Sequence, residues 1–81
     1  MSHPQNGLSI THEELVERFM TLRGKERAAE FISVTDAAEV ADCNRATVVK
    51  WINEGKVEAI RVGKRFKVWK PALRHHLSVE T

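Results

Sequence analysis

A single cysteine, Cys43, is all the chain contains, so no internal disulfide can form, which fits a reducing compartment such as the cytoplasm. There is no long apolar run, so neither a membrane span nor a signal peptide is expected. Glycine is sparse, and no glycine-rich phosphate loop is present. No nucleophile, base and orienting acid fall together, so an enzyme is not expected. Histidine offers little either. His3 and His12 lie in or beside a polar N-terminal tail, and His75 and His76 are neighbours that a helix would point about 100° apart, a poor metal pair. No cofactor and no metal are expected.

What is present is ordinary in amount but uneven in place. The 81 residues are 42% hydrophobic and 30% charged, enough for one small soluble domain with a modest core. The net charge is +2. Residues 1–42 hold four Lys/Arg and eight Asp/Glu, a balance of −4, whereas residues 43–81 hold nine and three, a balance of +6. Such an asymmetry points to a basic face for a polyanion and an acidic segment elsewhere. A solvated basic surface with no partner has the same composition, so position has to decide.

The chain divides into a tail over 1–10, an amphipathic helical segment over 11–30, a domain over 31–77 and a short tail over 78–81. The N-terminal tail is polar and is expected to be disordered. Thr11-His12-Glu13-Glu14 is a capping box, and Leu15, Phe19 and Leu22 form a stripe behind it, on a helix ending near Leu22 or Arg23. Lys25 to Glu30 either continues that helix or forms a second piece. The stripe either packs onto the following domain, its ordinary use, or serves self-association. Phe31 and Ile32 read as a short extended entry. Ser33 then caps a helix from Val34 to about Ala41, rich in alanine so that another helix can cross closely. Asp42-Cys43-Asn44 is a sharp turn that requires Asp42 to adopt a left-handed conformation.

Asn44 caps the next helix, and Gly55 ends it. Val48, Trp51 and Ile52 share its apolar face. Arg45, Ala46, Val49, Lys50 and Asn53 fall outside that face. Two short helices joined by such a turn are a helix-turn-helix. Beyond Gly55 the period becomes two, in Glu58 to Val62 and Arg65 to Trp69, which marks a β-hairpin. A two-residue loop at Gly63-Lys64 would mix apolar and basic residues on each face. A three-residue loop would place Ile60, Val62, Phe66 and Val68 together, so the odd-length loop or a bulge is expected. Pro71 suits the first turn of a last helix, Ala72 to Leu77, with Leu73 and Leu77 facing the core.

The run Ile32-Ser33-Val34-Thr35-Asp36-Ala37-Ala38, then Asn44-Arg45-Ala46-Thr47-Val48, then Trp51-Ile52-Asn53-Glu54-Gly55-Lys56, then Arg61-Val62-Gly63-Lys64-Arg65-Phe66-Lys67-Val68 resembles the excisionase-type helix-turn-helix family, related to the MerR-like winged-helix group of bacterial and phage proteins. The resemblance covers about residues 31–77. It rests on several separated motifs in order; Asp42 stands where that family usually has glycine, and Val49 where an aromatic or longer polar residue is common.

The resemblance implies a mainly α fold with a small β-hairpin, a winged helix-turn-helix preceded here by an extra N-terminal helix. It implies a major-groove helix carrying Asn44, Arg45, Ala46, Thr47, Val49 and Lys50, and a wing carrying Arg61, Lys64, Arg65 and Lys67 to the backbone or minor groove. Arg45, in the first turn, has the geometry to donate two hydrogen bonds to a guanine edge, or it contacts a phosphate. Thr47 either meets the nucleic acid or supports the Asn44 cap. Lys50 and the hairpin cations suit phosphates, and their alternative use is to blunt an exposed strand edge. Trp51 belongs to the core stripe, which leaves base stacking by it unexpected.

The implied partner is double-stranded DNA, the implied role transcription regulation, and the implied location the cytoplasm, on the nucleoid. One such module covers only a few base pairs, so copies acting together on repeated sites are implied. An excisionase-like recombination directionality factor is the nearest alternative. A protein-interaction adaptor using Leu15 and Phe19 on the acidic helix is an alternative of another class.

Overall fold

The computed structural model describes residues 10–80. The expected tail over 1–10 falls, except for Ile10, outside the described residues, as does Thr81. Five helices and three strands follow in the order α1 (His12–Thr21), α2 (Gly24–Glu30), β1 (Phe31–Ser33), α3 (Val34–Ala41), α4 (Arg45–Asn53), β2 (Ala59–Val62), β3 (Arg65–Trp69) and α5 (Lys70–Glu80). The fold is thus mainly helical around a small antiparallel sheet ordered β1-β3-β2.

Side-chain caps start α1, α3 and α4. Thr11 Oγ1 accepts from the Glu14 amide at 3.1 Å while Glu14 Oε1 accepts from the Thr11 amide at 2.9 Å, the reciprocal capping box. Ser33 Oγ accepts from the Asp36 amide at 3.0 Å and opens α3. Residues 24–30 form a separate helix, not a continuation of α1. Arg27 joins the two: its Nε donates to the Phe19 and Leu22 carbonyls, each at 2.9 Å, and its guanidinium lies 4.3 Å from the Phe19 ring centre. Those carbonyls are among the acceptors that a helix end leaves without an internal partner.

The strands extend one expectation and correct another. The entry at Phe31 and Ile32 is a full third strand, paired with β3 as Phe31↔Trp69, Ile32↔Val68 and Ser33↔Lys67. The hairpin takes the two-residue loop, pairing Val62↔Arg65, Arg61↔Phe66, Ile60↔Lys67 and Ala59↔Val68. Gly63 has φ 62°, which suits the first loop position of a tight hairpin turn and which glycine adopts without strain. The three-residue loop followed from assuming one buried face. In fact both faces are covered. On one, Ile60 and Phe31 pack with Leu15, and Phe19, Leu22 and Trp69 close around them. On the other, Val68 joins Ala37, Ala38, Val48, Val57, Ala72 and Leu73. Ile60 of β2 and Val68 of β3 can therefore point to opposite faces and both be buried.

The stripe of α1 is core. Leu15 is fully buried, and Phe19 meets Phe31 edge-on at 5.2 Å between ring centres. Of the two residues named for an adaptor surface, Leu15 is thus fully buried and Phe19 half-buried. The last helix is longer than expected at both ends. It follows β3 without a loop, and it runs through Ser78 and Val79 to Glu80, where no glycine or proline stops it. Leu73 is buried and Leu77 half-buried, both packed in the core with Val68.

One polar contact ties the N-terminal helices to the sheet. Arg18 forms an ion pair with Glu30, whose Oε2 also accepts from Trp69 Nε1 at 2.9 Å. The hydrogen bond from Arg18 holds the Glu30 carboxyl below the ordinary glutamate range, partial burial opposing it and the Trp69 hydrogen bond assisting. A depressed carboxylate stabilises the fold above its unfolded value and loses that contribution as pH falls through the folded value. Thermal melting is therefore expected to fall on acidification below the ordinary glutamate range, and to fall less in Glu30→Gln. Equal acid sensitivity in both proteins would remove Glu30 as the cause.

No described helix is long and apolar enough to cross a membrane.

Candidate nucleic-acid interface

The joint between α3 and α4 is made by backbone geometry. Asp42 sits at φ 57° and ψ 48°, the left-handed conformation expected of it. Its amide donates to the Glu39 carbonyl at 3.2 Å and the Cys43 amide to the Ala38 carbonyl at 3.0 Å, the paired hydrogen bonds of a Schellman ending. Cys43 packs against the core as an apolar plug. The end of α4 repeats the device. Gly55 has φ 76°, its amide donates to the Ile52 carbonyl at 3.1 Å, and the Lys56 amide donates to the Trp51 carbonyl at 2.9 Å. A Cβ at Gly55 meets open space, so its cost is conformational alone. Gly55→Ala is expected to lower stability by about 1–2 kcal/mol. Asp42→Gly is expected to leave it unchanged or higher. Urea unfolding of the two variants checks both; no loss in Gly55→Ala would contradict the strain assigned to that position.

Asn44 holds the start of α4. Its Oδ1 accepts from both the Thr47 amide and the Thr47 hydroxyl, each at 2.9 Å. Thr47 is therefore a partner of the cap, and its hydroxyl proton is engaged there. The Asn44 side chain is exposed, and nothing in the cap uses its amide protons. Val48 is fully buried and Trp51 and Ile52 pack against the same core, with the Trp51 ring edge-on to His76 at 4.6 Å between centres. That leaves Arg45, Ala46, Lys50 and Asn53 exposed and Val49 half-exposed.

Beside this outer flank runs a groove of about 510 Å³. The first turn of α3 with its cap forms one wall through Ser33, Val34 and Thr35. Arg45 and Val49, one turn apart on α4, form the second. Lys64, Arg65, Phe66 and Lys67 of the hairpin form the third. Four cations thus border it with no carboxylate among the lining residues, although on β3 Arg65 and Lys67 take the strand face of Val62 and Ile60 and Phe66 takes the other. Lys67 also borders a neighbouring cleft with Asp36, Phe19 and Arg27, so its charge is shared between the two.

The remaining expected residues stand apart from the groove. Arg61 is exposed on β2, with its guanidinium 5.3 Å from the Phe66 ring centre. Ala46 and Lys50 are exposed on α4 outside the lining residues. Four lining residues are not marked for this surface by the sequence. Ser33-Val34-Thr35 shows there only as a helix start, because its place beside α4 follows from β1 joining the sheet. Phe66 shows there only as part of an apolar hairpin face.

Five of the eight carboxylates of residues 1–42 lie elsewhere. Glu13, Glu14, Glu17, Glu26 and Glu30 belong to α1 and α2, which pack against β2, β1 and α5. A larger cleft of about 720 Å³ lies between α1, α2 and α5. It mixes Arg18, Lys70 and Arg74 with Glu26 and Glu30, so two carboxylates offset most of its positive charge, unlike the carboxylate-free groove. Among the described residues no group of three or more His, Cys, Asp or Glu side chains is placed to hold a metal ion.

Comparison with protein-family models, with curated proteins and with solved structures finds no significant match to this chain.

Proposed function

We propose that the protein is a winged helix-turn-helix that binds double-stranded DNA sequence-specifically and regulates transcription. The observation that carries this reading is the carboxylate-free groove in which Arg45 of α4 and Lys64, Arg65 and Lys67 of the hairpin meet. On this reading α3 and α4 are the helix-turn-helix, α4 enters the major groove, and the β2–β3 hairpin is the wing. The arrangement suits a polyanion because the cations come from two rigid elements around one space, and each phosphate they neutralise releases condensed counterions.

The roles divide by position. Arg45, in the first turn of an exposed helix flank, suits a guanine edge, to which a guanidinium donates two parallel hydrogen bonds. Ala46 and Val49 present small apolar surfaces that suit thymine methyl groups. Lys50 and the Asn44 amide suit phosphates flanking the major groove, and Lys64, Arg65 and Lys67 suit the backbone. Thr47 supports this surface by holding the cap. Protection footprinting on duplexes enriched from a random pool tests the proposal. A short protected site, repeated at a fixed spacing, is expected. Failure to enrich any sequence, with uniform weak binding, would overturn it.

A further inference from the structure

The hairpin carries one aromatic residue in the groove whose position is not explained by core packing alone. Phe66 is half-buried, it lines the groove with Arg45 and Val49, and it is the cross-strand partner of Arg61. Directly opposed residues of an antiparallel pair share a face. The Arg61 guanidinium accordingly lies 5.3 Å from the Phe66 ring centre, within the range of a cation–π contact. Neighbouring positions on this face show how the ring is placed. Val68, two residues on, is fully buried, and Lys64, two residues back, is exposed in the loop. Phe66 therefore stands where the core ends and the hairpin tip begins.

From this geometry we infer that Phe66 is a positioning residue that holds the Arg61 guanidinium beside the groove Arg45 lines, so that both guanidinium groups engage one duplex together. The inference rests on the DNA-binding reading and deepens it. Arg61 is exposed and outside the groove's lining residues, and the ring it lies against lines that groove together with Arg45 and Val49 of α4. A free arginine on a strand must surrender rotamer freedom when it binds. One already held against a ring surrenders less, and that preorganisation appears as affinity. Phe66 itself need not touch nucleic acid. Its planar face matters, because a flat guanidinium stacks on it and an ammonium does so less well.

The test is a double-mutant cycle read as duplex affinity on the wild type's best selected site, with thermal melting to confirm folding. Phe66→Leu, which keeps apolar bulk but removes the ring, is expected to weaken binding roughly three- to tenfold. Arg61→Ala is expected to weaken it at least as much. In the Arg61→Ala background, Phe66→Leu is expected to have almost no further effect. Phe66→Tyr, which keeps the ring, is expected to retain wild-type affinity, and Arg61→Lys, which keeps the charge, is expected to lose much of the preorganised part. Equal losses from Phe66→Leu with and without Arg61 would overturn the inference, since Phe66 would then act on the groove's shape. So would binding that neither variant affects. A wild type that prefers no duplex would overturn the DNA-binding reading itself, a result distinguishable from these because it appears before any substitution is made.

Discussion

Arg45→Ala is expected to lower affinity for a selected duplex by about 1–3 kcal/mol while leaving affinity for random duplex within a few-fold, because a bidentate arginine–guanine contact discriminates by that amount. Lys64→Ala is expected to do the opposite, weakening selected and random duplexes alike and reducing the slope of log affinity against log salt by about 1. The distinction follows from placement. Arg45 projects from the first turn of α4, whose cap at Asn44 and buried Val48 fix the helix from both sides. Lys64 sits in a two-residue loop, exposed, at the end of a hairpin. A rigid base reader and a charged loop tip are different instruments, and competition binding with selected and scrambled duplexes separates them. Parallel losses from the two substitutions on both duplexes would refute the division.

The second large effect is on stability. Leu15→Ala is expected to cost about 2–5 kcal/mol, the range for removing a fully buried leucine when its surroundings cannot collapse. Leu15 is one of three buried residues, with Phe31 and Ile60, that form the smaller of the two cores. A domain of this size has roughly 5–15 kcal/mol in total, so the loss is a large fraction of it. Because that core covers one face of the sheet, the loss is also expected to expose Ile60 and loosen the hairpin that carries Lys64 and Arg65. Denaturant unfolding measures the first effect, and hydrogen exchange at the β2–β3 amides measures the second. A change below about 0.5 kcal/mol, the scale of an ordinary surface substitution, would mean that α1 is not part of the core.

Where the sequence and the structure agree, the governing chemistry is local. The caps at Thr11, Ser33 and Asn44 each involve a side chain and an amide three residues on, so they can be read from four letters. The left-handed Asp42 follows from a turn too short to be made otherwise. The buried face of α4 follows from period alone. Disagreement arises where the deciding partner is distant. Strand β1 is three residues long, too short to show alternation, and its partner Trp69 to Lys67 lies more than thirty residues on. The hairpin register depended on whether the second sheet face was wet. That in turn depended on Leu15 and Phe19, which the hairpin's own pattern does not reveal. Val62 shows the residual ambiguity, since it alternates like a core residue yet remains exposed.

The candidate groove was half legible for the same reason. Arg45 and the hairpin cations were identifiable by type and position on their own elements. That they border one space, and that Ser33 to Thr35 closes it, depends on β1 docking beside β3 and bringing the start of α3 with it. That the Thr47 hydroxyl donates to Asn44 is likewise a contact that sequence leaves open.

Affinity for duplex DNA across a salt series, measured for the wild type and for a variant combining Arg45→Ala, Lys64→Ala and Arg65→Ala, bears most directly on the groove as the working surface. The wild type is expected to lose affinity steeply with salt, and the triple variant to bind weakly with a slope shallower by about 2–3. Weak, salt-insensitive binding by both proteins, or a steep slope that the three substitutions leave intact, would contradict it.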